Sequence, residues 1–447
     1  MSSRRLMLLA FLVAFVVFAC NFIQETVSDQ EPSQTPLSDT QTPQATREHR
    51  PTFAAPSQEP GARVTATPAP EPRLRIVYTD EGNLWMIEGT GSPQQLTSSG
   101  YAENILISSD GTKIAFTRRP MPEEVAELRS VNADGTAETV LLSQDDMKSL
   151  YPSSLESMGF EIWQMAFLPG SHALYFNTFE AFKTVGLAIT EDLFRINTDT
   201  GDLDQVLPPG SGGNFYISPD GIHIVVVRPD TIDLVNPDGN GLVANVVTYL
   251  PVITYSEFQY YAQPVWATDG SAVGVAIPND DPLGPNPKGF IWCFNDTGSS
   301  SNNIATIPGD FYFSQVFSSS TMSPTLNRVA FLRETATPNI QDLFLANADG
   351  TGETLYATGN IDWVGWAPDG IHFVYSVGDP MNLQLGTDGA ADIPLVTGMD
   401  LRWINNSRFI YLTGSMGAWT LMVGNLGGTS TSIANPGGDF ISYDFTR

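Results

Sequence analysis

A short phrase recurs along most of this chain and restricts its fold. In each copy an apolar residue precedes a turn of the Ser/Thr-Pro-Asp-Gly kind, and an apolar strand follows. The clearest copies are Ile107-Ser-Ser-Asp-Gly111, Ile217-Ser-Pro-Asp-Gly221, Trp266-Ala-Thr-Asp-Gly270 and Trp366-Ala-Pro-Asp-Gly370. Weaker copies stand at 167–171, 322–324 and 403–407. Repetition at a period of several tens of residues indicates one supersecondary unit that is stacked many times.

Each copy carries signals for four antiparallel strands. An apolar strand follows the Asp-Gly turn, as in Lys113–Thr117 and Ile224–Val227. A further strand ends in an Asn-x-Asp-Gly turn, as at Asn132–Gly135 and Asn347–Gly350, and a short strand leads into the next copy. Asp-Gly favours tight hairpins because both residues tolerate a positive φ. Four-stranded sheets repeated around a ring are the blades of a β-propeller.

The strongest copies resemble the TolB-like repeats of the WD40-like (PD40) β-propellers. The hallmark of those repeats is the phrase Trp-Ser-Pro-Asp-Gly-Lys-Lys-Ile-Ala-Phe, and Trp366–Tyr375 and Ile217–Val226 look like direct copies of it. The resemblance covers residues 74–447 and implies an all-β propeller. It implies no single activity, because related propellers include scaffolds, ligand binders and enzyme domains.

The two ends of the repeat region complement each other. Residues 74–97 supply three strands with no inner strand before them, and Phe440–Phe445 is a lone strand with none after it. Joining the two ends into one blade would close the ring and remove exposed sheet edges. This predicts about eight blades of roughly 47 residues each, or about seven if the copy near Met322 or Trp403 is not a full blade.

The first 19 residues are predicted to be a signal peptide. A basic start at Arg4 and Arg5 precedes the apolar run Leu6–Phe18, which is shorter than the roughly 20 residues that span a bilayer. Val17-Phe-Ala-Cys20 resembles the bacterial lipobox, in which the cysteine is lipidated, although phenylalanine is unusual at its place. Ordinary signal cleavage, or an uncleaved anchor extended through Ile23, are the alternatives.

Residues 20–73 form a segment rich in Pro, Thr, Ser and Gln, with few large apolar side chains. Such a composition predicts a disordered tether, because it buries too little surface to offset chain entropy. With Cys20 lipidated, the tether would hold a propeller at 74–447 away from a membrane. We therefore expect an extracytoplasmic, lipid-anchored protein of the bacterial cell envelope.

Charge and cysteine content limit the partners. The chain carries a net charge of −28, which argues against binding to nucleic acid or anionic lipid headgroups. Only two cysteines are present, and with Cys20 assigned to lipid no disulfide framework can form. Cys293 lies in an apolar strand and is predicted to be a buried core residue in a monomeric propeller.

The sequence contains no recognisable catalytic set. It lacks the Gly-x-Ser-x-Gly elbow, the phosphate loop, the dinucleotide-binding glycine motif and Cys-x-x-Cys. His172, His223 and His372 follow turns of different repeats, so no metal site is predicted. The acidic turns 199–204 and 279–281 leave bound calcium open as an alternative, although turn aspartates usually bind their own backbone.

Loop length points to one face of the propeller. If the strands of a blade are a to d from the channel outward, a–b and c–d turns share one face, while b–c loops and d–a connections share the other. The insertions at 144–159, 179–191, 249–263 and 278–289 all belong to the second class. Insertions on one face of a repeat protein are often its binding surface.

The insertions supply the candidate ligand-binding residues. These are the aromatic and acidic side chains Tyr249, Tyr255, Phe258, Tyr260, Tyr261, Glu156, Glu180, Glu191, Asp280 and Asp281. The alternative is that the aromatic residues only cover the propeller core. The sequence thus favours an anchored propeller that binds a protein or glycan.

Two further functions stay open. One is a carbohydrate-active hydrolase or lyase with a carboxylate pair about 5–10 Å apart. The other is a structural scaffold of the cell envelope.

Overall fold

The computed structural model describes residues 73–121, 124–153, 155–183, 186–256, 259–312, 315 and 319–446. Within them, 32 strands form eight antiparallel sheets, which confirms the predicted eight-bladed all-β propeller. The predicted signal peptide, Cys20 and the tether up to residue 72 lie outside the described residues. The described part of the chain contains no helix with the length and hydrophobicity needed to cross a lipid bilayer.

The strands follow one another blade by blade. The first three are β1 (Arg75–Asp80), β2 (Asn83–Glu88) and β3 (Gln94–Gln95). Blade 2 contains β4 (Ala102–Ile107), β5 (Lys113–Arg118), β6 (Glu127–Asn132) and β7 (Thr139–Leu142). The short helix α1 (Gln144–Lys148) leads into blade 3, which contains β8 (Ser157–Phe167), β9 (Ala173–Phe182), β10 (Leu187–Ile189), β11 (Leu193–Asn197) and β12 (Leu203–Leu207).

The next blades repeat the pattern. Blade 4 contains β13 (Asn214–Ile217), β14 (Ile224–Val227), β15 (Thr231–Val235) and β16 (Val243–Thr248). Blade 5 contains β17 (Val265–Trp266), β18 (Ala272–Pro278), β19 (Lys288–Asn295) and β20 (Ser301–Pro308). Blade 6 contains β21 (Arg328–Glu334), β22 (Gln341–Asn347) and β23 (Thr354–Gly359).

The last two full blades and the closing strand complete the ring. Blade 7 contains β24 (Ile361–Trp366), β25 (His372–Val377), β26 (Asp379–Thr387) and β27 (Ile393–Thr397). Blade 8 contains β28 (Met399–Trp403), β29 (Arg408–Ser415), β30 (Ala418–Asn425) and β31 (Ser430–Ala434), and the final strand is β32 (Tyr443–Phe445).

The repeated turn is built from side-chain hydrogen bonds. In blade 2 the Ser108 hydroxyl donates to Asp110 at 2.6 Å, and the Thr112 N–H donates to the same carboxylate oxygen at 3.0 Å. Burial alone would raise the pKa of Asp110, but these hydrogen bonds outweigh it and hold the pKa below its usual range. The carboxylate is therefore ionised at neutral pH and fixes the turn between β4 and β5.

The ring is closed as the sequence predicts. Strand β32 pairs antiparallel with β1, with Tyr443 opposite Tyr78 and Phe445 opposite Ile76. This sheet, blade 1, therefore contains β3, β2, β1 and β32 in that order. The Asp444 carboxylate also accepts the Ile107 N–H of blade 2 at 2.9 Å, so the closing strand joins two blades.

Blade 6 departs from the regular pattern. Its sheet contains three strands, and at the inner position the described residues form two isolated bridges, Asp310 with Leu332 and Met322 with Val329. The weak repeat at Met322 is thus an irregular inner edge, whereas the copy at Trp403 belongs to a complete four-stranded blade.

Hydrophobic side chains fill the spaces between neighbouring blades. Tyr175 of blade 3 clusters with Phe215 of blade 4, and Val374 of blade 7 clusters with Phe409 of blade 8. Cys293 is only partly buried and packs against the cluster between blades 5 and 6. Each blade is therefore held by its neighbours, as expected of a ring of sheets that are each apolar on both faces.

Candidate binding surface

The four insertions extend one end of the propeller. We call this end, which carries the b–c loops and the d–a connections, the long-loop face, and the opposite end the short-turn face. The first insertion contains α1, whose N-cap Ser143 forms a capping box with Asp146. In the second, β9 continues beyond the body of blade 3 and pairs there with β10.

Hydrogen bonds connect neighbouring insertions. The Ile253 N–H donates to the Asp280 carbonyl at 2.8 Å, and the Tyr255 hydroxyl donates to the Asp281 carboxylate at 2.9 Å. The Tyr261 hydroxyl donates to Glu191 at 3.1 Å. The insertions of blade 3, of blade 5 and of the connection between blades 4 and 5 therefore form one continuous surface.

The predicted aromatic residues divide into buried and exposed members. Tyr260 and Tyr261 are 5% and 8% exposed and belong to the core cluster between blades 4 and 5, against which Tyr249 also packs. Burial raises the pKa of all three hydroxyls. Tyr255 is 57% exposed, and Phe258 lies outside the described residues. Tyr249, Tyr260 and Tyr261 therefore cover the propeller core, which was the alternative role considered for the aromatic residues.

This division limits how the segment 249–263 can be altered. Val252 and Ala262 are buried in the same cluster as the two tyrosines. Removing the whole segment would therefore open the core between two blades. Each large buried side chain lost would lower the free energy of unfolding by about 2–5 kcal/mol. Only its exposed residues can be changed without this penalty.

The predicted acidic residues of the insertions divide into exposed and partly buried members. Glu156 and Asp280 are exposed, whereas Glu180, Glu191 and Asp281 are partly buried. Glu191 and Asp281 accept the tyrosine hydroxyls already described. One carboxylate oxygen of Glu180 is buried without a hydrogen-bond partner.

Among the described residues, exposed apolar side chains in loops lie mainly on the long-loop face. Those in its loops and at its strand ends are Tyr101, Met121, Leu155, Leu250, Ile253, Tyr255, Met399, Met416 and Phe440, among the described residues. The turns of the short-turn face expose Ile222, Leu242 and Ile371, and its strand ends expose Leu203, Val243 and Ile393. The sequence analysis missed this asymmetry because it weighed only aromatic and acidic loop residues, although apolar residues inside turn-rich loops were a visible signal.

An ion-pair cluster holds the inner rim of this face between blades 2 and 3. The Arg119 guanidinium donates to both carboxylate oxygens of Glu161 at 2.5 Å and to Glu103 at 3.3 Å. The hydrogen bonds from Arg119 to Glu161 raise the pKa of the guanidinium. Glu161 is 7% exposed, so this bidentate pair fixes the rim and does not serve as a mobile recognition element.

A buried carboxylate lies beneath the same rim. Asp192 accepts the Thr178 N–H at 2.8 Å and the Tyr151 hydroxyl at 3.0 Å. Burial raises the pKa of Asp192, although these hydrogen bonds oppose the rise. Since its acceptor capacity is used inside blade 3, Asp192 positions the base of the first insertion.

The acidic turns contact protein groups. Asp199 pairs with Lys113 at 2.8 Å and with His172 at 2.6 Å, and Asp202 accepts the Thr200 hydroxyl at 2.6 Å. In the parts of the chain that the structure describes, no group of three or more His, Cys, Asp or Glu side chains is arranged to hold a metal ion.

Comparisons with known proteins give the fold. No protein-family model matches this sequence, and no curated protein matches it. Among solved structures, dipeptidyl peptidase 4 of Porphyromonas gingivalis is 12% identical with a TM-score of 0.50, and the match covers 80% of this chain and 56% of the peptidase. At this identity the likeness shows the propeller fold alone, and this chain spans about half of the peptidase.

Two weaker likenesses are to an oligogalacturonate lyase in complex with manganese and to TolB from Acinetobacter baumannii. The lyase is 12% identical with a TM-score of 0.42, and the match covers 78% of this chain and 95% of the lyase. TolB is 15% identical with a TM-score of 0.31, and the match covers 62% of this chain and 61% of TolB.

Proposed function

We propose that this protein is an anchored extracytoplasmic propeller that binds a protein partner through its long-loop face. The observation that supports this most is the group of exposed apolar side chains Leu250, Ile253 and Tyr255, in an insertion that is hydrogen-bonded to the insertions of blades 3 and 5. Exposed apolar side chains that are grouped, rather than scattered singly, are typical of interaction sites.

The centre of the proposed surface is the tip of the insertion between blades 4 and 5. Leu250, Ile253 and Tyr255 are 68%, 49% and 57% exposed. Tyr255 is held by its hydrogen bond to Asp281, which raises the pKa of its hydroxyl. A preordered aromatic anchor costs little side-chain entropy on binding, which is why tyrosine is common among binding hot spots.

Charge favours a partner with a basic rim around an apolar centre. The exposed acids Glu156 and Asp280 stand in the neighbouring insertions, and the whole chain carries −28 charges. Long-range attraction would accelerate association with a cationic surface and make the association rate fall with salt.

The anchoring part of the proposal is supported by the sequence. Val17-Phe-Ala-Cys20 is similar to a lipobox, and the following segment has the composition of a tether. We propose that Cys20 carries the lipid and that the propeller lies outside the cytoplasm.

The experiment compares two triple variants of the full chain. The test variant carries Leu250→Ser, Ile253→Ser and Tyr255→Ser, and the matched control carries Ile222→Ser, Leu242→Ser and Ile371→Ser on the short-turn face. We expect the test variant to bind the purified partner at least about tenfold more weakly, with the control unchanged. Equal losses for both variants, or a loss only for the control, would contradict the proposal.

A further inference from the structure

A cavity of about 220 Å³ opens inside the propeller channel. Its side chains come from the inner positions of four consecutive blades, 8, 1, 2 and 3. Asn104 and Leu106 lie on β4, Trp163 and Met165 on β8, Arg402 on β28, and Ser442 directly before β32. None of these residues belongs to the binding surface proposed above.

Three of the strands around the cavity are irregular at this place. The pairing register shifts between Glu103 and Leu106 in β4, between Ile162 and Gln164 in β8, and between Met399 and Arg402 in β28. Asn104 and Asp400, inside two of these shifts, have φ values of 50° and 49°. Bulges re-aim side chains, and strained non-glycine backbone is concentrated at ligand sites.

Trp163 is a fixed aromatic surface in this cavity. Although it lies on an inner strand, its side chain is 42% exposed. Its indole N–H donates to the Asn214 side-chain oxygen at 2.9 Å, and Phe179 packs edge-on against the ring at 5.9 Å between centroids. The orientation of the ring is thus set before any ligand arrives.

Polar groups stand around the tryptophan with hydrogen-bonding capacity left. The side-chain amide of Asn104 donates to the Thr117 hydroxyl at 3.1 Å. The side-chain oxygen of Asn104 remains available as an acceptor. Ser442 accepts the Ile105 N–H at 3.1 Å through its hydroxyl oxygen, and the hydroxyl proton can still be donated.

The charge of the cavity is compensated. Two nitrogens of Arg402 donate to the two oxygens of Asp400 at 3.1 Å each, and a third donates to the Tyr443 carbonyl at 2.8 Å. The charge of Arg402 is therefore neutralised by Asp400, and the remaining N–H groups of the guanidinium can donate to a ligand. A charged ligand would find no unmatched counter-charge among the described lining residues.

We propose that this cavity binds one neutral sugar ring. The apolar face of a pyranose would stack on Trp163, and its hydroxyls would reach Asn104, Ser442 and Arg402. Pockets for drug-sized ligands enclose roughly 300–1,000 Å³, so the smaller cavity here fits a ligand of one ring. The sugar can be free or the terminal residue of a glycan.

The test is a calorimetric titration of the full-length protein with the methyl glycosides of glucose, galactose, mannose and N-acetylglucosamine. We expect saturable binding of at least one of them. Trp163→Ala should weaken it about tenfold or more, and Trp163→Phe should retain most of it. Trp419→Ala, in β30 and outside the cavity, is the matched control and should bind as the wild type does.

A second variant keeps the test decisive if Trp163→Ala does not fold. Asn104→Gly removes the amide and its bond to the Thr117 hydroxyl but relieves the positive φ, so it should still fold and should bind the sugar more weakly. The proposal is wrong if no glycoside binds, or if folded variants at both positions bind as the wild type does. Trp163-dependent binding of a charged ligand or a peptide, with no glycoside bound, would overturn the assignment to a neutral sugar.

Discussion

Gly111 shows why the repeat needs glycine after its aspartate. Its φ is +71°, and a Cβ placed there would stand 2.7 Å from the Thr446 methyl and 3.0 Å from the Arg75 side chain. The turn of blade 2 thus packs against the closing blade with no room for a larger residue. Asp110 supplies the hydrogen bonds of the turn, and Gly111 supplies its conformation and its close approach.

A matched pair of substitutions separates these two effects. Gly89→Ala also meets a positive φ, +58°, but a Cβ there would have no neighbour within 4 Å. We expect Gly89→Ala to lower the free energy of unfolding by about 1 kcal/mol and Gly111→Ala by about 2–4 kcal/mol. Equal costs in denaturant unfolding would show that the close approach contributes nothing.

His172 joins two blades through both of its ring nitrogens. One lies 2.6 Å from Asp199 and the other 3.1 Å from Asp110, with Lys113 also paired to Asp199. The second nitrogen also lies 2.9 Å from the Thr112 hydroxyl, whose proton is donated to Asp110 at 2.8 Å. Both ring nitrogens must then donate, and since a neutral imidazole can donate from only one, this geometry favours the imidazolium. Burial lowers the pKa of His172, but the hydrogen bonds to Asp199 and Asp110 outweigh it and raise the pKa.

The raised pKa gives the sign of a pH effect. The contribution of His172 to stability is complete below the unfolded pKa of about 6.5 and is lost as pH rises through the folded pKa. We expect His172→Gln to cost about 0.5–1 kcal/mol near pH 5.5 and less near pH 9. A cost from denaturant unfolding that grows with pH would contradict this.

At the level of strands, the sequence predicted the regular elements and missed the irregular ones. Asp-Gly turns and apolar alternation identify the hairpins, because both depend on local conformation. The bulges at Asn104 and Trp163 depend on how inner strands pack around the channel, so alternation along the chain does not reveal them. The burial of Tyr260 and Tyr261 was likewise set by contacts between distant segments.

The closing strand offers a test at this scale. Tyr443 and Phe445 are 0% and 2% exposed, so deleting residues 440–447 should remove buried surface and unpair β1. We expect the truncated protein to lose cooperative unfolding or to aggregate, and Phe445→Ala alone to cost about 3–5 kcal/mol. The control Phe440→Ser, at a side chain 71% exposed, should melt like the wild type. Wild-type melting of the truncated protein would refute closure by β32.

At the scale of the whole molecule, the two faces of the propeller differ in chemistry. The short-turn face is made of repeated Asp-Gly turns whose aspartates bind their own loops, as Asp134 and Asp349 bind the Thr136 and Thr351 N–H groups. The long-loop face carries the insertions and most of the exposed apolar loop residues among those described.

Anchoring predicts a change of location for one substitution. If Cys20 carries the acyl chains, labelled palmitate should enter the wild-type protein and fail to enter Cys20→Ser. The variant should also move from the detergent-extracted membrane fraction to unprocessed precursor or to the soluble fraction. Absence of label from the wild-type protein would contradict the lipid anchor.

Partner binding through the long-loop face is tested most directly by site-specific photo-crosslinking in living cells. A photoreactive phenylalanine replaces Tyr255 in one strain and Ile371, which is 51% exposed on the short-turn face, in another. We expect a discrete adduct with one protein at position 255, lost when Leu250 and Ile253 are changed to serine, and no such adduct at position 371. The same adduct from both positions, or an adduct at position 371 alone, would contradict the proposed surface.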